Sequence, residues 1–454
     1  MYSKKSGNVG SSKWSYIILI SLLGALNSGA WALDLKQVYE ASVVNDAQVR
    51  ASRASADAVR ERIPQANAQL MPNVALSAGR NYNDLTSTTP NILGQETTRQ
   101  THYFSGSQTL TVRQPLYRPY QLALLRQAEA QVGDAEATLQ RDEQSLVVRA
   151  GEAYFEALLA EEQLKLIASQ KSTYLTQLDA ARKRVKAGSG TRTDIDEAQA
   201  RLDLVVAQEL EAKQNKDYTL HRIEVLTGQA VPSLAQLDVM RFVAKAPIPA
   251  DLEAWMARAE NGSPELQSLQ SQIEIARQEI EKSKSGHLPT LDAVAQWSRT
   301  NSDSVTSVNY KYDNKMIGLQ LSIPIFSGGY VSSTVRQAVA SETRAREMLE
   351  ATRRDLRVRV HREFRGVTEG VLKIAALEQA VRSAETALES NQRSFEAGIR
   401  TTLDVLNAEQ QKTTALRDLA QARYLYLVSL MRLRSLAGDD RELNVSEANS
   451  WLMQ

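Results

Sequence analysis

Apolar and polar positions change period twice along this chain, in the same order each time. "VALSAGRNY" places Val74, Leu76 and Ala78 on one face, with Arg80 following on that face. "LDAVAQWS" places Leu291, Ala293, Ala295 and Trp297 on one face. A period of two predicts half-buried strands. The polar stretches "NDLTSTTPNILGQETTRQ" and "TNSDSVTSVNYKYDN" read as turns, and "HYFSGSQTLTVRQ" and "KMIGLQLSIP" as returning strands. The pattern predicts two hairpins, at about 72–115 and about 289–324. Their strands, of about ten residues, match the length that crosses a bilayer. A helical stretch precedes each hairpin, at about 35–69 and about 264–286.

After each second strand the period becomes helical. Leu125, Ala128, Val132, Ala135, Leu139 and Leu146 mark a seam at three-four spacing, and Val335, Ala338, Ala345, Leu349 and Leu356 mark its counterpart. Small residues in such a seam permit close helix approach. No proline occurs from 120 to 231 or from 325 to the end. The stretch 120–187 as one helix is on the order of 100 Å long, longer than a globular core requires.

Almost no loop separates strand from helix. Ile317, Leu319, Leu321 and Ile323 share one face of the last strand, Pro324 ends it, and Val335 starts the helical wall. Gly328 and Gly329 let the backbone swing between them. The earlier junction uses Pro115 and Pro119 instead. The two junctions are expected to differ in path, with the second the more flexible.

These parallels extend along the chain. "RQAEA" (126–130) returns as "RQAVA" (336–340), and "AGSGTRTDIDEAQAR" (187–201) as "AGIRTTLDVLNAEQQ" (397–411). "VLTG" (225–228) returns as "SLAG" (435–438), all at an offset of 210. An ordered series of this kind predicts two copies of one unit. The division read from it is 33–228 for the first unit, 229–262 for a linking segment, 263–438 for the second unit and 439–454 for a tail. Ahead of these, Lys4, Lys5 and Lys13 precede "WSYIILISLLGAL" and then Ala30-Trp31-Ala32. That is the layout of a secretory signal peptide over 1–32.

Composition narrows the function. With 43% apolar residues and a net charge of +1, the chain is neither disordered nor a general nucleic-acid binder. It has no cysteine, so neither disulfides nor a lipidated N-terminal cysteine. His102, His221, His287 and His361 lie far apart, without metal-ligand spacing. "AGSGT" and "FSGG" lack the Gly-Lys-Ser/Thr of a phosphate loop. Neither an enzyme nor a cofactor site is indicated. No apolar run after residue 32 is long enough for a membrane helix, which leaves a β-barrel or a protein free of the membrane. An open sheet cannot cross lipid, and four strands are too few to close, since about eight make the smallest membrane barrels. A barrel therefore requires pooled copies, and three would supply twelve strands. A soluble periplasmic coiled-coil scaffold is the competing class.

The duplicated layout, with "HLPTLD", "LQLSIPIFSGGYVSSTVRQA", "GTRTDIDEAQARLD" and "AGIRTTLDVLNAEQQ", resembles the TolC family of outer-membrane efflux and secretion proteins, over nearly all of the chain after residue 32. The resemblance implies an α+β membrane protein. Each protomer of a homotrimer would give four strands to a twelve-stranded barrel in outer-membrane lipid, continuous with a long α-helical barrel across the periplasm. The linking segment and the tail would form an equatorial band. The implied partners are a periplasmic adaptor (membrane fusion) protein and an inner-membrane ABC or RND transporter, with no cofactor. The cargo would be protein, by type I secretion, or drugs, and the repeat motifs look like the secretion branch.

In the family the periplasmic end is held shut by the coils after the turns, here those at Gly188, Gly190 and Gly398. An aspartate ring at the family's entrance maps to Asp404 and, at its second position, to Asn407. Three copies of Asp404 around an axis would favour cations, less strongly than a ring of two acids. A family latch joins an arginine and a tyrosine to a Thr-Asp pair. These map to Arg400, Phe395 and Thr193-Asp194, and the phenylalanine has no hydroxyl to bond.

Overall fold

The computed structural model describes residues 32–304 and 307–453, with the side chains of 302–310 left aside. The signal peptide falls almost wholly outside these residues. Three short helices open the described chain: α1 (Leu35–Asn45), α2 (Ala47–Arg60) and α3 (Arg62–Ala68). They break the expected single stretch at Asp46 and Glu61. The reason at the first break is local: Asp46 adopts extended backbone, and its carboxylate accepts from the Val49 N–H to cap α2.

A hairpin follows, β1 (Asn73–Pro90) and β2 (Glu96–Tyr117). Next come α4 (Pro119–Lys186, 68 residues) and α5 (Arg192–Thr227, 36 residues). Two further helices, α6 (Leu252–Gly262) and α7 (Pro264–Lys284), lead to a second hairpin, β3 (Thr290–Ser304) and β4 (Ser307–Ser322). Then α8 (Tyr330–Glu396, 67 residues) and α9 (Thr402–Leu436, 35 residues) run out and back before the short α10 (Arg441–Asn449). Among the described residues no helix is long and apolar enough to cross a membrane.

The strands correct the reading of the sequence in length. They run to 18, 22, 15 and 16 residues, not about ten. Residues 83–90 and 96–100, read as turn, are ladder, and the true turn is 91–95. Threonines explain the extension, because β-branched side chains favour a pleated surface. Thr88 and Thr98 face each other with hydroxyls 3.0 Å apart. Pro115 lies inside β2, which ends at Tyr117 after a bulge. β4 ends at Ser322, two residues before Pro324, and α8 begins at Tyr330 rather than Val335.

All four strands form one antiparallel sheet in the order β1-β2-β3-β4. Its register aligns the alternation across strands: Val74, Val112, Ala295 and Ile317 form one row, and Leu76, Leu110 and Trp297 the next. The opposite face carries Ser77, Thr109, Thr111, Gln296 and Asn314. The first hairpin continues past the second by several residues, on the order of 20 Å.

The main core lies where the short helices meet the long ones. Leu35, Val38 and Val49 pack with Leu146, Tyr154, Phe155, Trp255, Leu356, Leu427, Leu433 and Leu452. Tyr154 donates its hydroxyl hydrogen bond to the Ala235 carbonyl at 2.7 Å. Two isolated bridges, Leu33 to Leu234 and Leu237 to Leu452, tie the start, the 229–251 stretch and the tail into one girdle. Of the predicted seam, Ala128, Leu146, Ala338 and Leu356 are fully buried.

Candidate functional site

Two places set what the molecule can do: the junctions between sheet and helices, and the far tips of the helical hairpins.

At the first junction Arg118 is the residue before α4, and Pro119 opens the helix, where its missing N–H costs nothing. The Arg118 guanidinium donates from Nε to Asp292 Oδ1 at 2.8 Å and from a second nitrogen to Oδ2, which makes a bidentate pair. Asp292 is buried, so this pair pins the start of α4 to β3. At the second junction Gly328 and Gly329 have φ of 61° and 84°, the left-handed region that suits glycine. Backbone bonds there are local, from the Tyr330 N–H to the Ser327 carbonyl at 3.1 Å. Ile325 and Phe326 are 96% and 88% exposed. The two junctions do follow different paths.

The tips are built alike. Gly188 and Gly398 both turn at φ 76°. Thr191 caps α5 and Thr401 caps α9, each in a reciprocal box with the aspartate three residues on. Thr191 Oγ1 donates to Asp194 at 2.7 Å, and Thr401 Oγ1 to Asp404 at 2.8 Å. Asp194 is held below the ordinary aspartate value chiefly by the Thr191 hydroxyl, with the Thr402 hydroxyl and the Arg184 charge assisting. The Thr401 backbone N–H, then its hydroxyl, and Arg400 do the same for Asp404. Both carboxylates are therefore charged at neutral pH.

The expected site residues divide at this end. Asp194 and Asp404 each sit in the first turn of their helix. Arg400 lies 3.7 Å from Asp404, and among the described residues no ion pair joins it to Asp194. Thr193 is exposed, two residues after the cap. Phe395 packs beside Leu388, Val405 and Ala408, and its ring lies under the Arg184 guanidinium, 4.3 Å from the centroid. Arg184 thus meets the ring where a tyrosine hydroxyl was missing from the expected latch. Asn407 accepts from Arg201 of α5 at 3.0 Å.

Arg184, Arg201, Thr191 and Thr401 were not singled out from the sequence. The two threonines were legible, since "TRTD" and "TTLD" carry the Thr-x-x-acid spacing of a capping box. No sequence signal marks the two arginines, because their partners lie on the other hairpin. Deeper along the coils, Gln170 donates to Gln410 at 2.7 Å and to the Tyr174 hydroxyl at 3.0 Å, a buried polar cross-link between α4 and α9. Among the described residues no group of three or more His, Cys, Asp or Glu could hold a metal.

The model for the outer membrane efflux protein family matches residues 38–229 and 255–439. The chain is 35% identical over 432 residues to the alkaline protease secretion protein AprF of Pseudomonas aeruginosa, covering 93% of this chain and 89% of that one. It is 32% identical over 437 residues to the proteases secretion protein PrtF of Dickeya chrysanthemi, covering 96% and 94%. Among solved structures it is similar to the outer-membrane channel OprN, with a TM-score of 0.77 at 18% identity and 90% of each chain covered.

Proposed function

Since the chain belongs to the outer membrane efflux protein family, and is thus a non-enzymatic outer-membrane channel-tunnel reaching into the periplasm, we propose that it is the exit duct of a type I protein secretion system. Three copies pool their strands into a twelve-stranded barrel, and their paired long helices, two copies of one unit per chain, continue the duct towards the inner membrane. The observation that carries this reading is the sheet: one apolar face, one polar face, and edges at β1 and β4 that lack partners among the described residues. Lipid cannot accept such edges, so copies must close the ring. The girdle that joins Leu33, Leu234, Leu237 and Leu452 corresponds to the equatorial band.

Cargo follows from the secretion proteins AprF and PrtF, whose names concern proteases. A periplasmic adaptor and an inner-membrane ABC transporter dock on the tips and shift a closed–open equilibrium. Deleting the gene abolishes secretion of specific proteins and leaves drug sensitivity little changed. The opposite outcome would favour the multidrug-efflux reading.

At the entrance, three copies of Asp404 form a negative constriction, with Asn407 beside it held by Arg201. The coils are latched by Arg400, Thr193, Asp194 and Phe395, the last through Arg184. Arg400→Ala combined with Thr193→Val raises single-channel conductance in planar bilayers, whereas Asp404→Ala lowers cation selectivity and block by multivalent cations. Unchanged conductance would remove the latch, and unchanged selectivity would leave Asp404 as a helix cap alone.

A further inference from the structure

The strands enter from the long helices, so the turn of the first hairpin, at 91–95, points to the cell exterior. On the apolar face, rows from Leu291–Leu321 up to Leu76–Leu110–Trp297 make a band. With barrel tilt its height is on the order of 15 Å. Register then places cationic side chains at its exterior rim. Lys315 shares the row of Trp297. In the next row Ala78, Gln108, Arg299 and Asp313 align, and in the one above Arg80, Gly106, Asn301 and Lys311.

Arg299, Lys311 and Lys315 therefore surround Asp313, with Arg299 directly across from it on β3 and the two lysines two residues to either side on β4, about 7 Å away along the strand. All three are exposed, and none forms an ion pair among the described residues. Asp313 instead accepts from Trp297 Nε1 at 3.0 Å. The cluster keeps an excess of two positive charges. Arg80 extends it on the far side and lies over Phe104, 5.0 Å from the ring centroid. Tyr82 pairs with Phe104 above, and the next row is Asp84 with His102, 3.3 Å apart. Cations at the end of a lipid-facing band meet head groups, not water alone. Tyr82, Phe104 and Trp297 add flat apolar surfaces of the kind on which sugar rings stack.

We propose that Arg299, Lys311 and Lys315, flanked by Arg80 and Trp297, bind the phosphate groups of a phosphorylated glycolipid in the outer leaflet. The proposal rests on the pooled barrel, which turns this face to lipid. The test uses the full chain, purified from outer membranes in mild detergent and titrated with purified lipopolysaccharide. Arg299→Ala/Lys311→Ala/Lys315→Ala binds at least about tenfold more weakly, and Lys311→Gln or Lys315→Gln alone about fivefold more weakly. Wild type loses a similar factor with dephosphorylated lipopolysaccharide. Unchanged binding in the single variants, unchanged binding after dephosphorylation, or equal affinity for phosphatidylglycerol vesicles overturns the site. Single-channel conductance separates the two layers: a variant that conducts normally tests the glycolipid site alone, whereas wild type that forms no channel overturns the barrel beneath it.

Discussion

The two strand-to-helix junctions solve one problem by opposite means. Both must pass from a sheet to a helix nearly 70 residues long. The first is locked: Pro119 fixes the helix start, and Arg118 ties it through two hydrogen bonds to Asp292 on a strand of the other hairpin. The second is hinged: two glycines with positive φ turn the chain, and the Ile325 and Phe326 side chains stay uncovered. The two strand-to-helix passages are thus not held equally. The lock couples the halves within the sheet, and the hinge leaves α8 anchored by its own first turn. Val331 is buried there, against the 3-10 turn at Gly286.

Three substitutions test that contrast. Asp292→Ala strands the Arg118 charge and costs about 3–5 kcal/mol. It is read as a drop in the thermal stability of the assembled protein, and the exchange of Arg118→Asp with Asp292→Arg should recover part of it. A neutral Asp292→Ala would mean that the first junction is no lock. At the hinge, Gly329→Ala costs about 1–2 kcal/mol, because a Cβ is disfavoured in the left-handed region. Open space surrounds that position, so the loss reports backbone alone. An unchanged melting temperature would show that the hinge relaxes freely. Smallest is Pro115→Ala, at about 0.4–1 kcal/mol through the freedom gained by the unfolded chain. A larger loss would shift the lock from Arg118 to the bulge after Pro115.

Much of this architecture was legible. Period-two alternation located all four strands and the face they share, because successive side chains of a strand point to opposite faces of the sheet. The proline-free stretches located the long helices to within a few residues. Strand ends were misjudged where Thr88 and Thr89 meet Thr98 and Thr97, since such residues serve both turns and ladders. At the tips the sequence pointed to the acids and to Arg400. That Arg184 stacks on Phe395 and Arg201 reaches Asn407 depends on how two hairpins some 210 residues apart settle together. Arg118 escaped notice for the same reason, since Asp292 is adjacent only after β2 pairs with β3.

The unpaired edges of the sheet carry a consequence for biogenesis. A sheet whose β1 and β4 edges are open among the described residues has no stable form in lipid by itself, so in the proposed barrel membrane entry would be a collective event of high kinetic order in chain concentration. Chains waiting in the periplasm must be shielded along those edges. In the ring of three copies proposed above, one defective copy would spoil every ring it joined, so with equal amounts of intact and defective chains only about one ring in eight would be wholly intact. The genetics of such a ring would be those of dominant interference rather than simple loss.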